Sequence, residues 1–389
     1  MSENFDYKDY SQYFAKLESD LKKQSLKDSL PESTDFLSSS KEKKTQKGKT
    51  FSLKADVIKR AGTIPALFLL PSVLVILITA VVLVSVFGKS KPKTKETFNA
   101  SSQAKSVLNE EEESETFDYS SLFAEQTEST KTVPASVKSK SVIFINTKDN
   151  TVVAQKNAEK RWYPASTTKI MTLLVAVENM TDVNDTFTFS YEITDPFYRQ
   201  QATMAGFANG EKVNMTDLLY GAILPSGADA TAAIALKIAG SEEGFVKLMN
   251  DKAAELGLEN TNFTNCSGLF DKNHYTTAKD MSVILRAAMN NETCKKILST
   301  YKYITAKTPQ HPKGIELTST LFSYMYGTEP EGSDILGGKT GYVGESGYCI
   351  ASFGESESKT EYVCIAFGAP TRWPAIYDQI ELYTIFAKK

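Results

Sequence analysis

The spacing of apolar residues divides the chain into stretches of unlike character. From Ala61 to Gly88 no charged residue occurs, and Val73–Phe87 reads VLVILITAVVLVSVF, apolar on every face of a helix. At about 1.5 Å per residue, Pro71 to Phe87 reaches roughly 25 Å, and the full uncharged run exceeds a hydrocarbon core about 30 Å thick. The pattern predicts one transmembrane helix over 61–88. A buried soluble helix would keep a polar stripe, and a cleaved signal peptide would begin nearer the start of the chain and end in a small-x-small site. Basic residues are denser before the run (Lys41, Lys43, Lys44, Lys47, Lys49, Lys54, Lys59, Arg60) than after it (Lys89, Lys91, Lys93, Lys95, Lys105), which orients the N-terminus to the cytoplasm.

On either side of the span the patterning is polar. Residues 1–60, rich in Ser, Lys, Asp and Glu, read as a mostly disordered cytoplasmic tail whose partner the sequence does not name. Residues 89–135, with the acidic run Glu110–Glu113, read as a solvated extracytoplasmic linker. Periodic patterning returns over 136–389. SVIFIN and TVVAQ read as strands; DLLYGAIL, DATAAIALKIAG, GFVKLMNDKAAELG and AKDMSVILRAAM as amphipathic helices; SGYCIASF and EYVCIAFGA as late strands around the turn GESESK. Strands at both ends with helices between them predict one α+β domain whose sheet joins its two chain ends.

Composition narrows the function. Of 389 residues 41% are hydrophobic and 23% charged, which fits a globular core and excludes a polytopic membrane protein. A net charge of -3 leaves no basic surplus for a nucleic-acid partner. Only His274 and His311 could serve a histidine-based site, so hydrolytic chemistry must find another base. Cys266, Cys294, Cys349 and Cys364 lack metal-ligand spacing and read as free thiols.

Three segments carry candidate chemistry. YPASTTKIMTLLVAVENM places Ser166 at the start of an apolar-periodic helix and Lys169 one turn on, on the same face. A serine hydroxyl is a weak nucleophile and needs a base within hydrogen-bond reach, which the lysine supplies if it loses its proton. Bringing that proton's pKa from about 10.4 to near 7 takes roughly 4 to 5 kcal/mol of desolvation and repulsion by a second cation. The same spacing recurs at Ser38/Lys41, Ser40/Lys43, Ser102/Lys105 and Ser356/Lys359, all in segments read as tails or turns. In GGKTGY, Lys339 and Thr340 can hold a carboxylate, Lys339 is the required second cation, and Gly341 lets a substrate backbone approach as an added strand. In LPSGADATAAIA, Ser226 sits in a tight connection between helices, where a second hydroxyl can relay a proton.

Together these elements resemble the penicillin-binding D-alanyl-D-alanine carboxypeptidases, the low-molecular-mass serine DD-peptidases of family S11. The likeness runs over nearly all of residues 138–370. It includes PASTTKIMT, NGEKVNMTDLLYGAILPSGADA, AGSEEGFVKLMNDKAAELGLENTNFTN, GLFDKNHYTTAKDM and GGKTGYVGESGYCIASF, in the family's order and spacing. It implies a serine β-lactamase/DD-peptidase-like fold, an antiparallel sheet flanked by helices with a helical subdomain. The resemblance makes Ser166 the acylated nucleophile, Lys169 its general base and Ser226 the proton relay. Lys339 and Thr340 would bind the substrate's terminal carboxylate beside Gly341, and the N–H groups of Ser166 and Tyr342 would receive the oxyanion. It implies no cofactor and no metal, peptidoglycan stem peptides ending in D-Ala-D-Ala as substrate, and β-lactams as covalent inhibitors. His274, in the family's HYTTA stretch, is expected to be structural and His311 a surface-loop residue.

One residue departs from the family. Where it has Ser-x-Asn, this chain has Ser226, Gly227 and Ala228, so a side-chain amide is missing. One net hydrogen bond is worth about 0.5–1.5 kcal/mol, more if it acts in the transition state, which predicts slower turnover or altered specificity. The chain also ends soon after RWPAIYDQIELYTIFAKK, leaving no room for the extra domain and C-terminal anchor of many relatives, a task the N-terminal span would take over. Two other readings stand beside the carboxypeptidase: a β-lactamase, although no ExxLN segment is present, and a penicillin-binding sensor or scaffold with weak catalysis.

Overall fold

The computed structural model describes residues 119–387. The predicted span over 61–88, the tail and most of the linker lie outside the described residues. Among those described, no helix is long and apolar enough to cross a membrane.

The first strands after residue 130 are β1 (Lys131–Thr132), β2 (Ser141–Asn146) and β3 (Thr151–Lys156). A helical section follows: α1 (Lys169–Asn179), α2 (Tyr191–Arg199), α3 (Met215–Ile223), α4 (Ala228–Ala239), α5 (Glu242–Glu255), α6 (Ala278–Asn290) and α7 (Glu292–Leu298). Two small ribbons interrupt it, β4 (Thr186–Thr188) with β5 (Lys212–Asn214) and β6 (Lys302–Ile304) with β7 (Glu316–Thr318). Short α8 (Thr320–Met325) leads into β8 (Ser333–Val343), β9 (Gly347–Ser356), β10 (Glu361–Ala369) and the last helix, α9 (Arg372–Phe386).

The main sheet runs β1-β3-β2-β10-β9-β8. Its centre joins the two ends of the domain: Ile143 lies opposite Ile365 and Val142 opposite Ala366. These central strands are buried on both faces because their side chains alternate between two cores. Ile143, Ile145, Val363 and Ile365 face a core built with the helical section. Val142, Phe144 and Cys364 face Leu382, Tyr383 and Phe386 of α9, where Phe144 and Tyr383 pack edge to face at 5.1 Å. Strands covered on both sides read as near-continuous apolar runs, which is how SVIFIN and EYVCIAFGA appear in the sequence. Helix starts follow capping chemistry: Asn214, Ser241 and Thr277 accept the backbone N–H three residues on, from Asp217, Gly244 and Asp280.

Two expectations are corrected. The sheet is mixed, not wholly antiparallel, because β1 runs parallel to β3 with Lys131 opposite Ala154. The folded unit also starts before residue 136. Leu122 and Val133 are buried, and Arg286 of α6 donates to the Leu122 carbonyl at 2.6 Å and to Asn150 Oδ1 at 2.7 Å. Leu122 stands in a short Leu-Phe-Ala run and Val133 alone in a polar stretch, too little to show a period, so the sequence pattern places them in the linker.

The chain entering β2 is tied to α9 by one buried carboxylate. Asp378 accepts the N–H of Lys138 at 2.8 Å and both the N–H and hydroxyl of Ser139 at 2.6 Å. Asp378→Ala leaves two backbone donors without their acceptor. A loss of about 2–4 kcal/mol in urea denaturation is expected, against a few tenths for Asp→Ala at an exposed site such as Asp149.

Candidate active site

Ser166 does not sit on a regular α-helix. It belongs to a 3-10 turn, Ala165–Thr168, that follows Pro164 and feeds α1. Ala165 is held at φ 50°, a left-handed conformation costly for a residue with a Cβ. Directly against it lies Gly268, at φ 79°, where an added Cβ would come within 2.0 Å of the Ala165 carbonyl oxygen. The turn is thus wedged between the 264–269 loop and the sheet.

Lys169, the first residue of α1, is 2% exposed. Its Nζ donates to Ser166 Oγ at 3.1 Å and to the Ser267 carbonyl at 2.5 Å. The Ser267 loop is shaped by Asn265, whose Oδ1 accepts the N–H groups of Ser267 and Gly268 at 3.2 and 2.7 Å. Burial lowers the Lys169 amine to about 8, against the raising influence of Cys266 and Asp229. Burial also pushes the Cys266 thiol far up, so it carries no charge near neutrality and the raising there falls to Asp229. About a tenth of the lysine is then uncharged at pH 7.

Lys339, Thr340, Gly341 and Tyr342 lie on β8 itself, the edge strand, and the turn comes later, at residues 344–346. An added Cβ at Gly341 would stand 2.8 Å from the Ser166 nitrogen and 3.0 Å from that of Thr167. The glycine lets the strand touch the backbone of the Ser166 turn. Lys339 is 1% exposed and its Nζ donates to the Thr340 carbonyl at 2.9 Å. Burial first, and then repulsion from Lys169, hold its amine well below the ordinary lysine range. Burial is the largest influence lowering Lys169, and repulsion between the two amines, which acts on both, adds to burial at Lys339. Tyr342 is exposed and packs against Tyr348, ring centroids 4.4 Å apart.

Ser226 occupies the connection between α3 and α4 at φ 72°. Its hydroxyl is buried and has no hydrogen-bond partner among the described residues, a strained and unsatisfied arrangement of the kind found at functional sites. Asp229, next along α4, fixes the chain opposite by accepting the N–H groups of Ala205 at 2.7 Å and Gly206 at 3.1 Å. Thr320 links this wall to the edge strand: its N–H donates to the Leu224 carbonyl at 3.0 Å and its hydroxyl pairs with that of Thr340 at 2.7 Å. Ala228, where an amide was missed, is 2% exposed and begins α4.

The remaining candidates are placed elsewhere. His274 Nδ1 accepts the Thr264 N–H at 3.1 Å, which leaves Nε2 as the donor to Thr168 Oγ1 at 2.8 Å. Burial lowers this ring to about 4, and it serves as a neutral brace behind the turn. His311 is more than a surface-loop residue, since its Nδ1 pairs at 2.9 Å with Glu211, a carboxylate only 1% exposed. Lys359, the partner in Ser356/Lys359, is exposed and paired with Glu355; Ser38/Lys41, Ser40/Lys43 and Ser102/Lys105 lie outside the described residues. All four cysteines are buried and free. Ser267, Gly268, Asn265 and Thr320 act through backbone groups or positioning, and the only sequence signal for them was the turn-forming Ser267-Gly268 dipeptide.

A hydroxyl, a buried amine beside it, a second hydroxyl and an edge strand carrying Lys-Thr-Gly define a serine acyl-transfer site of the Ser-x-x-Lys type. Residues 125–371 match the peptidase S11 family, D-alanyl-D-alanine carboxypeptidase, and the chain belongs to it. It is 32% identical over 251 residues to D-alanyl-D-alanine carboxypeptidase DacF of Bacillus subtilis, covering 64% of this chain and 62% of that one. It is also 32% identical to a D-alanyl-D-alanine carboxypeptidase of Streptomyces sp., over 56% of this chain and 76% of that one. The crystal structure of a Streptomyces DD-transpeptidase superposes with TM-score 0.57 at 27% identity, covering 64% of this chain and 97% of that one.

Gly341→Ala tests the close approach. Its Cβ meets backbone, which cannot swing aside, so β8 or the Ser166 turn must shift by several tenths of an ångström. Labelling by fluorescent penicillin is expected to slow about 100-fold with the far-UV circular dichroism unchanged; an unaltered rate would show that the contact does not position Ser166.

Proposed function

We propose that the protein is a serine D-Ala-D-Ala carboxypeptidase that removes the terminal D-alanine from peptidoglycan stem peptides. The observation that carries this reading is the 3.1 Å contact between Ser166 Oγ and a lysine amine lowered by burial to about 8. In this mechanism neutral Lys169 takes the Ser166 proton as Oγ attacks the carbonyl carbon of the penultimate residue. The resulting oxyanion is received by the N–H groups of Ser166 and Tyr342, which stabilise charge present only in the tetrahedral state. Collapse breaks the C–N bond, and the departing amine takes the proton from Lys169 through the Ser226 hydroxyl. Water then attacks the acyl-enzyme carbonyl, giving its proton to Lys169 and, on collapse, restoring the serine. Lys339 and Thr340 hold the terminal carboxylate of the departing D-alanine.

Anchoring and placement belong to the same proposal. The uncharged run 61–88 would hold the chain in the cell membrane with its N-terminus in the cytoplasm and the hydrolase outside, facing the cell wall. β-Lactams would acylate Ser166 and block it. Ala228 favours one alternative, a penicillin-binding sensor with weak turnover, because the relay loop lacks the family's amide.

Incubation with labelled penicillin and, separately, with a D-Ala-D-Ala pentapeptide distinguishes these readings. The carboxypeptidase labels covalently, loses the label in Ser166→Ala and releases D-alanine; a sensor labels without release, and a β-lactamase turns penicillin over rapidly. Ala228→Asn is expected to raise turnover severalfold, and an unchanged or lower rate would contradict the part assigned to the missing amide. The base must be uncharged, so the acylation rate should rise about tenfold per pH unit up to about 8 and then level. A rate flat from pH 6 to 8 would exclude Lys169 as the base.

A further inference from the structure

A pocket of about 380 Å³ lies beside the active site, lined by Arg161, Trp162, Tyr163, Lys272, Tyr275 and Glu345. Each lining segment is continuous with a wall already described. Residues 161–163 lead directly into the Ser166 turn; residues 272 and 275 follow the loop whose Ser267 carbonyl receives Lys169; Glu345 is in the turn that ends β8. The segments are also bonded to each other. Trp162 Nε1 donates to the Ser346 carbonyl at 2.9 Å, the Trp162 N–H donates to the Thr276 carbonyl at 2.7 Å, and Tyr163 packs edge to face on Phe270 at 5.0 Å.

Direction along β8 says which part of a substrate reaches this pocket. In the proposed reaction the terminal carboxylate sits at Lys339 and Thr340, and the carbonyl under attack lies beside Gly341, where the strand meets the Ser166 turn. The rest of the donor peptide then runs along the edge toward Val343 and Glu345, away from the leaving group. At about 3.3 Å per residue, the few residues before the D-Ala pair arrive at the pocket. Its charges are two cations, Arg161 and Lys272, against one anion, Glu345. Arg161 is pre-set: its guanidinium lies 4.4 Å over the Tyr275 ring and donates to Asn260 Oδ1 at 3.3 and 3.2 Å. A larger depression of about 430 Å³ lies around Glu159, Glu259 and Asp280, away from Ser166; it is acidic and shares no segment with β8.

We propose that this pocket is a donor-side subsite that selects a stem peptide carrying a free side-chain carboxylate ahead of the D-Ala pair, gripped by Arg161 and Lys272 with its aliphatic stem against Trp162 and Tyr163. The proposal rests on the carboxypeptidase reading for the direction of the substrate. Both cations are solvent-exposed, so the effect is one of specificity: exposed pairs contribute up to about 1 kcal/mol, or about fivefold.

The test uses full-length protein in detergent, with Ser166→Ala to allow binding without turnover. Two pairs of pentapeptides ending in D-Ala-D-Ala differ only in Glu against Gln at the second or third residue. Calorimetry on Ser166→Ala should give about fivefold tighter binding to the Glu peptide in at least one pair, falling toward parity at 0.5 M salt. Adding Lys272→Gln should bring the ratio near one, and adding Glu345→Gln should raise it. Because the ratio compares two peptides on one protein, a general disturbance of the site cancels, and the opposite signs at 272 and 345 exclude a merely structural role. Equal binding within both pairs, or a ratio insensitive to both charge changes, would overturn the subsite. Absence of D-alanine release by the wild-type protein, with the binding ratio intact, would instead overturn the hydrolytic reading and leave the subsite standing.

Discussion

A primary amine removed from water beside a serine hydroxyl is the constraint on which the rest of the site depends. Lys169 is held there by the start of α1 and by the Ser267 carbonyl, and burial lowers its proton affinity. Moving it from 10.5 to about 8 corresponds to about 3 kcal/mol set against the charged form. That cost is carried by the packing around it. The neutral His274 behind Thr168, the Asn265-built loop and the glycine wedge at 268 fix the turn so the amine cannot swing out to solvent.

The second constraint is the approach of an edge strand to that turn. β8 can reach the Ser166 backbone only because Gly341 has no side chain, and it is held at that distance by its pairing with β9 and by the hydroxyl link from Thr340 to Thr320. Thr320 in turn joins the strand to the loop preceding Ser226. Three segments distant in sequence, around 166, 226 and 340, are brought into one cleft by a sheet whose central pair comes from opposite ends of the domain. Lys339 is the outcome of this convergence. It is buried beside another lysine, which disfavours its charge, and a carboxylate partner would favour it.

Much of this could be read in the sequence. SVIFIN and EYVCIAFGA declared their burial by being apolar almost without a break, and the four amphipathic helices named from periodicity are all formed. The positions of Ser166, Lys169, Ser226 and the Lys-Thr-Gly segment were legible because each is a side chain or glycine in a distinctive local context. Several features were not. Leu122 and Val133 lie in apolar stretches too short to show a period, and their burial depends on partners far along the chain. β1 is too short to show a period. The Ser267 carbonyl and Asp229's grip on residues 205 and 206 act on backbone groups, which every residue possesses and no composition reveals. How far burial lowers each of the two lysines depends on its depth, a property of the folded state alone.

The most direct test of the account is titration of the Lys169 amine itself, followed by NMR of protein carrying isotope-labelled lysine and assigned by comparison with Lys169→Arg. The account predicts that this one resonance titrates near pH 8, well below the ordinary lysine value of about 10.4. An amine at 169 that stays protonated to pH 10 in the folded protein would contradict it.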